Sequence, residues 1–361
     1  MSTLSSKKLI LVIGGTGAQG LAVVDALLKP AADGVPSPYA VRVMTRDPAN
    51  HRARDLVAKG VEVVQGTTDD FTSVMRAMEG AYGAFVNTDS FTIGEEKEVY
   101  TGMRLFEAAK QLGTLRHYVW SGLDYSFKKG GYDPKYRVVH HDAKARVGDW
   151  MRAQLSVVGD TDMSWTILST MVYMEMLNGP MMGPLNKRAD GTYVFASPIG
   201  AGAVPMVSLA DVGFFARHIF DHRAATSARE LEIASARVDW PTLVETFARV
   251  TGKPAVYLPL GAEEWFALWE AESIARPLAS ERAGPDGSTT WRENFECWWA
   301  QYRDEVITRD WAWLREVHPG GHTLESWMRE TGYTGDLDFG FMKSVEDGKG
   351  PRLNIERIAA L

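Results

Sequence analysis

The sequence predicts an α/β protein: a doubly wound parallel sheet in its first half, with a smaller, mostly helical C-terminal part. Three observations carry this. Up to residue 170, short apolar runs alternate with stretches that hold apolar residues at helical spacing, the pattern of parallel strands with crossover helices. The first apolar run ends in a glycine-rich segment, GGTGAQG, as a strand-to-helix turn does. The composition then shifts, with nine of the 12 tryptophans at or after Trp240 and a last third rich in Trp, Glu and Arg.

The elements follow in order. Leu9 to Ile13 is an apolar run of the kind that parallel strands buried on both faces show, and Gln19 to Leu28 has helical spacing. Val41 to Met44 is a second strand, and Asp47-Pro48 offers an N-cap and a first-turn proline for a helix to Ala58. Gly60 closes that helix before a third strand, Val61 to Val64. Asp70 to Met78 reads as a helix, Ala84 to Asn87 as a fourth strand and Glu95 to Leu112 as a long helix. His117 to Ser121 and Trp165 to Leu168 are the fifth and sixth strands. Further on, Pro205 to Val212 reads as a strand running into a helix capped near Asp211, and Glu230 to Ala234 as another strand. Phe295, Trp298, Trp299 and Tyr302 fall at i, i+3, i+4 and i+7, one buried helix face. Trp265 and Trp269, one turn apart, can form a pocket lid or a partner groove.

Composition narrows the function classes. The 361 residues suffice for two domains, and 45% hydrophobic with 24% charged residues is ordinary for a globular protein. A net charge of −7 argues against nucleic-acid binding, which needs a basic surface. The single cysteine, Cys297, allows no intramolecular disulfide and fits a reducing compartment. The apolar run after MSTLSSKK is too short for a signal-peptide core or a membrane span. The expected location is the cytoplasm, with the nucleus as the other compartment the reading allows. Ala279 to Ser288, polar and holding Gly284, Pro285 and Gly287, is the expected linker. His318 and His322 flank a Pro-Gly-Gly turn without a Cys or carboxylate cluster and make a poor metal site.

The segment Gly14-Gly15-Thr16-Gly17-Ala18-Gln19-Gly20 is a G-x-x-G-x-x-G pattern between a strand and a helix. Glycine there lets the backbone approach a pyrophosphate, while the helix offers free N–H groups and its positive end. A tight turn without a ligand is the bland reading. The end of the second strand discriminates between cofactors. Thr45-Arg46-Asp47 puts a hydroxyl and a guanidinium where an NAD site places a carboxylate, so the 2′-phosphate of NADP(H) is the expected ligand. Asp47 is assigned to the helix cap, Arg52 and Arg54 add charge or are solvated, and Asp69 is placed to meet the adenine. Asn87 and Thr88, at the end of the fourth strand, complete the cofactor candidates on this side.

With GGTGAQG, the Thr45-Arg46-Asp47-Pro48 turn, HYVWSGLDY and HHDAK in hand, the chain resembles the NmrA-like family of atypical short-chain dehydrogenases/reductases. The C-terminal ENFECWWAQYRDEVITRDW resembles its fungal branch. The resemblance covers nearly the whole chain. It implies a Rossmann-like NADP(H)-binding domain, residues 1–170 with about 205–235 returning to the sheet. Residues 171–204 and 236–361 would then form a substrate or partner domain. Some members reduce aromatic natural products, and others bind NADP(H) as sensors or regulators. The resemblance also implies that Met171, Val172 and Tyr173 pass over the nicotinamide and that Lys144 contacts its ribose.

RVVHHDAK has the spacing of a reductase's Tyr-x-x-x-Lys pair, with His140 in the tyrosine position. Asp133-Pro134 would cap a helix on which Tyr136, His140 and Lys144 share one face. Lys144 can favour a developing oxyanion. His140 can donate a proton near neutral pH, although Lys144 one turn away disfavours the imidazolium. His140 otherwise only packs beneath the cofactor or hydrogen-bonds its ribose. Tyr136 and Tyr125 are the alternative donors, and Ser121, at a strand end, stands where reductases keep a substrate-polarising serine. Met171 to Leu177 and Met181-Met182 suit either a broad apolar pocket or ordinary core. The expected function is an NADPH-dependent reductase of a carbonyl, imine or activated alkene in a small aromatic or alkaloid-like metabolite. The rival is a silent NADP(H) sensor with a protein partner, or an enzyme that keeps NADP(H) as a structural cofactor.

Overall fold

The computed structural model describes residues 7–31, 33–279, 289–338, 340 and 350–361. The strands are β1 (Lys8–Ile13), β2 (Tyr39–Thr45), β3 (Glu62–Gln65), β4 (Gly83–Val86), β5 (His117–Gly122) and β6 (Ser164–Ser169). They continue with β7 (Val172–Tyr173), β8 (Asn186–Lys187), β9 (Tyr193–Ser197), β10 (Val204–Val207), β11 (Arg229–Glu232), β12 (Ala236–Val238) and β13 (Ala255–Pro259). Seven of them form one sheet in the order β3-β2-β1-β4-β5-β6-β11. Every pairing in it is parallel. The order reverses between β1 and β4, where a doubly wound sheet opens its binding crevice.

The helices are α1 (Ala18–Leu28), α2 (His51–Ala58), α3 (Phe71–Met78), α4 (Ser90–Ile93), α5 (Glu95–Leu112), α6 (Ser126–Lys129), α7 (Val139–Arg152) and α8 (Leu209–Asp221). Beyond them come α9 (Arg223–Thr226), α10 (Trp240–Thr251), α11 (Ala262–Phe266), α12 (Ala271–Ile274), α13 (Trp291–Arg303), α14 (Trp311–Val317) and α15 (Leu324–Thr331). Alternation along a strand sends side chains to opposite faces. In β1, Ile10 and Val12 meet Val23 and Leu27 of α1 and Phe215 of α8. Leu11 and Ile13 face the other way, onto Val74 of α3, Leu105 of α5 and Val147 of α7. The apolar run of β1 therefore needs helices on both sides.

The first of these two cores runs without a break into the C-terminal part, where two three-stranded sheets, β12-β10-β7 and β13-β9-β8, pack with the later helices. The strand predicted from Pro205 thus joins β7 and β12, while the one predicted from Glu230 lies on the main sheet beside β6. Phe295, Trp298, Trp299 and Tyr302 form the buried stripe of α13 as their spacing predicts. Trp265 and Trp269 are buried in the same core, so they are packing rather than a lid.

Two polar clasps tie the C-terminal part to the sheet. Arg309 forks onto Asp124, its two terminal nitrogens 3.0 and 2.6 Å from the carboxylate oxygens, with both side chains fully buried. His318 Nε2 and His322 Nδ1 both lie 3.0 Å from Asp211 Oδ1 in the first turn of α8. The two histidines do meet a carboxylate, contrary to the sequence reading, yet among the described residues no group has the makings of a metal site.

Two helix starts differ from expectation. The helix predicted from Pro48 begins at His51, because the Asn50 carboxamide accepts the Ala53 N–H at 2.9 Å and is the cap. Asp47 closes a preceding turn by accepting the Ala49 N–H. Asp133-Pro134 caps a single 3-10 turn, Pro134–Tyr136, and α7 starts separately at Val139. The expected linker lies outside the described residues except for Ala279. Among the described residues, no helix is long and apolar enough to cross a membrane.

A candidate active site at the C-terminal edge of the sheet

The turn after β1 is shaped by contacts that only glycine allows. Gly14 has φ +81°, and a Cβ there would stand 2.7 Å from the Asn87 carbonyl oxygen. A Cβ on Gly20 would fall 2.2 Å from the Gly14 carbonyl oxygen, so α1 seats directly on the turn. Gly17 is the N-cap of α1 and has no side chain to satisfy the first N–H groups, and the first turn of α1 carries no acid. Thr16 and Ala18 flank that cap. A cradle of this kind, with free N–H groups at a positive helix end, fits a pyrophosphate.

Gln19 turns inward. Its Oε1 accepts the Ser121 hydroxyl at 2.6 Å, and its Nε2 lies 3.3 Å from Thr170 Oγ1 and 3.4 Å from the Tyr173 hydroxyl. The turn, the end of β5 and the Met171-Val172-Tyr173 segment therefore meet in one polar web, with Met171 and Val172 themselves in the core. Ser121 is committed to Gln19 in this web rather than free to polarise a substrate.

At the end of β2, Thr45 is buried and Arg46 exposed. Arg52 is buried rather than solvated: its guanidinium donates to the carbonyls of Thr16, at 3.2 Å, and Gly340, at 2.8 Å. Arg54 is exposed. Asp69 stands 3.0 Å from Lys97 Nζ. A cavity of about 560 Å³ opens between the end of β3 and α3, with Gln65, Thr67 and Asp70 in its lining, and none of Thr45, Arg46, Asp69 and Lys144 lines it.

Lys144 is buried on α7. Its ammonium lies 2.8 Å from the Thr88 carbonyl, 3.0 Å from Asn87 Oδ1 and 3.2 Å from Glu98 Oε1. Thr88 Oγ1 and the Ser121 carbonyl are next, at 3.3 and 3.5 Å. Glu98, fully buried on α5, also accepts the hydroxyls of Thr88, at 2.6 Å, and Ser90. Gly102 lets α5 come this close, since a Cβ there would stand 2.7 Å from Val147 and 2.8 Å from Trp120. The Trp120 indole N–H donates to the Lys144 carbonyl at 3.0 Å and fixes α7 from the sheet side.

His140, one turn before Lys144, sits in an aromatic slot. Its ring centroid is 4.7 Å from Phe91, 5.7 Å from Phe295 and 4.7 Å from His141. Burial, then the neighbouring His141 and the Lys144 charge, hold its imidazole well below the ordinary histidine range, against a hydrogen bond with Asn294. His140 is therefore neutral at physiological pH and does not store a proton as imidazolium. The two candidate tyrosines are engaged elsewhere. Tyr136 donates to Asp304 at 2.9 Å, and the Tyr125 hydroxyl accepts from Arg146 Nε at 3.2 Å. Tyr136 does not share the α7 face of His140 and Lys144, because it belongs to the separate 3-10 turn.

Sequence reasoning missed Glu98, Phe91 and Asn294. Two had a signal. Glu98 falls in helical register with Thr101, Gly102 and Leu105 on the buried face of α5, and Asn294 with Trp291, Phe295 and Trp298 on that of α13. A polar residue on an apolar stripe marks a buried partner.

The profile of the NmrA-like family matches residues 6–271. An NmrA-like family domain-containing oxidoreductase of Malbranchea aurantiaca, malD, is 28% identical over 276 residues, covering 71% of this chain and 76% of that protein. The crystal structure of NmrA, a negative transcriptional regulator in complex with NAD, superposes with a TM-score of 0.69 at 21% identity over 90% of this chain and 95% of its own. The NADPH-dependent quinone oxidoreductase QOR2 of Escherichia coli, complexed with NADPH, gives 0.65 at 18% identity over 90% of this chain and 99% of its own. At these identities the structural likeness is one of fold. The family profile, spanning most of the chain with a glycine turn and doubly wound sheet to match, places the chain in the NmrA-like family.

Proposed function

We propose that this chain is an NADPH-dependent reductase of a carbonyl, imine or activated alkene in a small aromatic or alkaloid-like metabolite. The observation that carries this reading is the meeting of the glycine cradle with the buried Lys144 ammonium beside the aromatic slot of His140. Family membership, and the oxidoreductase name of the relative from Malbranchea aurantiaca, support it.

In this reading Gly14, Thr16, Gly17, Ala18, Gln19 and Gly20 hold the pyrophosphate, and Thr45 and Arg46 take the 2′-phosphate. Asp69 stands at the adenine. Asn87, Thr88, Lys144 and the Met171-Val172-Tyr173 segment line the nicotinamide end. Residues 1–170, with about 205–235, hold the cofactor, and 171–204 with 236–361 shape the substrate side. The cofactor, when bound, supplies a hydride. Lys144 contributes a fixed positive charge that favours a developing oxyanion, and His140 contributes a neutral N–H donor. Phe91 and Phe295 give a flat apolar wall suited to an aromatic ring. The expected compartment is the cytoplasm.

The test is label transfer. The protein is incubated with each 4-deuterated stereoisomer of NADPH and a metabolite extract of its source, and products are screened by mass spectrometry. A deuterated product that disappears with Lys144→Ala supports the reading. A labelled product formed at full rate by that variant removes the role given to Lys144.

One observation favours the rival reading of a cofactor-state sensor. Three acceptors of the protein lie within 3.2 Å of Lys144 Nζ, which matches the three protons an ammonium can donate. A sensor needs its cofactor to bind the protein's two states unequally. Partner binding that is equal with NADPH, with NADP⁺ and with neither removes that reading.

A further inference from the structure

Asn294 belongs to α13, far along the chain from His140, yet its side chain is fully buried against the start of α7. Its Oδ1 accepts the Val139 N–H at 3.0 Å. Val138, the residue in the N-cap position of α7, makes no side-chain cap, so Asn294 satisfies this helix end from a distant element. The same carboxamide reaches His140. Nδ2 lies 3.0 Å from His140 Nδ1, and Oδ1 lies 3.2 Å from it.

The Val139 bond fixes which way the carboxamide points, because turning it over would set Nδ2–H against the Val139 N–H. With Oδ1 so placed, two states remain. In one, Nδ2–H donates to a bare His140 Nδ1, and both polar atoms of Asn294 have partners. In the other, His140 Nδ1–H donates to Oδ1, and the buried Nδ2 has no acceptor among the described residues. Leaving a buried donor unmet costs about 1–3 kcal/mol. The first state also uses the shorter contact.

We propose that Asn294 is a positioning residue which locks His140 as the Nε2–H tautomer, so that the site presents a neutral imidazole N–H donor. Asn294 does this from the C-terminal part of the chain, through a bond to Nδ1, while Phe91 and Phe295 hold the ring plane. His140 Nε2 has no hydrogen-bond partner among the described residues, which leaves it the ring's free donor. The proposal rests on the reductase reading for what the donor serves, but the tautomer is a property of the protein alone.

The experiment is long-range ¹H–¹⁵N correlation NMR on the full chain with ¹⁵N-labelled histidine, with and without NADPH. His140 is assigned by the resonance lost in His140→Gln. The expected result is Nδ1 in the unprotonated range and Nε2 in the protonated range at neutral pH. Asn294→Asp keeps the shape and the Val139 bond, but a carboxylate only accepts. It is expected to move the proton to Nδ1 or to create the imidazolium. With a turned-over substrate, this variant should lower kcat about tenfold or more while leaving the KM for NADPH within about twofold, the mark of an interaction lost at the chemical step. A wild-type His140 with its proton on Nδ1 overturns the proposal, as does an unchanged tautomer in Asn294→Asp. If Asn294→Asp does not fold, the wild-type spectrum still decides. An Nε2–H tautomer in a protein that transfers no label sinks the reductase reading and leaves the tautomer assignment standing.

Discussion

Lys144 is a buried cation whose counter-charge comes from another helix. Glu98 is fully buried, takes two hydroxyl hydrogen bonds and stands 3.2 Å from the Lys144 ammonium. Removing one partner of such a pair leaves the other uncompensated in a medium that solvates charge poorly, a loss of about 3–5 kcal/mol. Glu98→Gln, which keeps the shape and the acceptor, should therefore destabilise the fold by about 3 kcal/mol. Glu98→Gln with Lys144→Met should recover most of that, because the charge itself is gone. Urea unfolding of the two variants measures both. A single variant within about 0.5 kcal/mol of the parent would show that the ammonium finds its compensation elsewhere. At this scale the sequence was half legible. Lys144 and His140 could be found because their spacing lies within one helix. Glu98 and Asn294 could not be paired with them, because only the packing of α5 and α13 on α7 brings them there.

Elements were more legible than contacts, because periodicity is a local property. The strands of the main sheet lie within one or two residues of their predicted bounds, and α5 spans Glu95–Leu112 as its spacing requires. The misses come from competition among caps. Asp47 looked like a helix cap but closes a turn, and Asn50 three residues on takes the helix. Asp133-Pro134 likewise starts only one turn, because Arg137 leaves helical geometry with ψ 86° before α7 begins. In the proposed reading, cofactor binding depends on the seat of α1. Gly20→Ala would push α1 off the Gly14 carbonyl, so the N–H groups at its start would no longer converge with the turn. NADPH affinity should fall about tenfold or more, equivalent to about 1.4 kcal/mol, with the sheet intact. Titration calorimetry alongside a thermal melt separates the two effects. Unchanged affinity would mean that the cradle does not hold the pyrophosphate.

Over the whole molecule, buried histidines of β5 and α7 and the Asp211 clasp of the C-terminal part should shape stability on opposite sides of neutrality. Burial pushes His141 down to about 4 and His117 down to about 3, and holds His140 well below its usual value. These groups are neutral when folded but titrate near 6.5 when unfolded, so the unfolded chain takes up protons first. Their contribution is complete above pH 6.5 and is lost as pH falls towards 4, by about 3 kcal/mol for His141 alone. His322 runs the other way. Its hydrogen bond to Asp211, aided by the Asp211 charge and by Glu330, raises it to about 9 against the cost of burial, with His318, Ser208 and Glu175 around the same cluster. A raised histidine stabilises fully below pH 6.5, and that contribution fades as pH rises through 9. Asp142, raised to about 7 chiefly by burial, contributes stability that is lost as pH rises from about 4 to 7, so it offsets part of the acid limb and adds nothing above pH 7. The melting temperature should therefore peak between about pH 6 and 7 and decline on either side. His322→Gln should lower the peak and remove the part of the alkaline decline between about pH 6.5 and 9, while leaving the acid limb set by the buried histidines in place. Thermal melts of both proteins from pH 4 to pH 10 check this. An alkaline limb that His322→Gln leaves untouched would mean that the Asp211 clasp holds the C-terminal part without the histidine's charge.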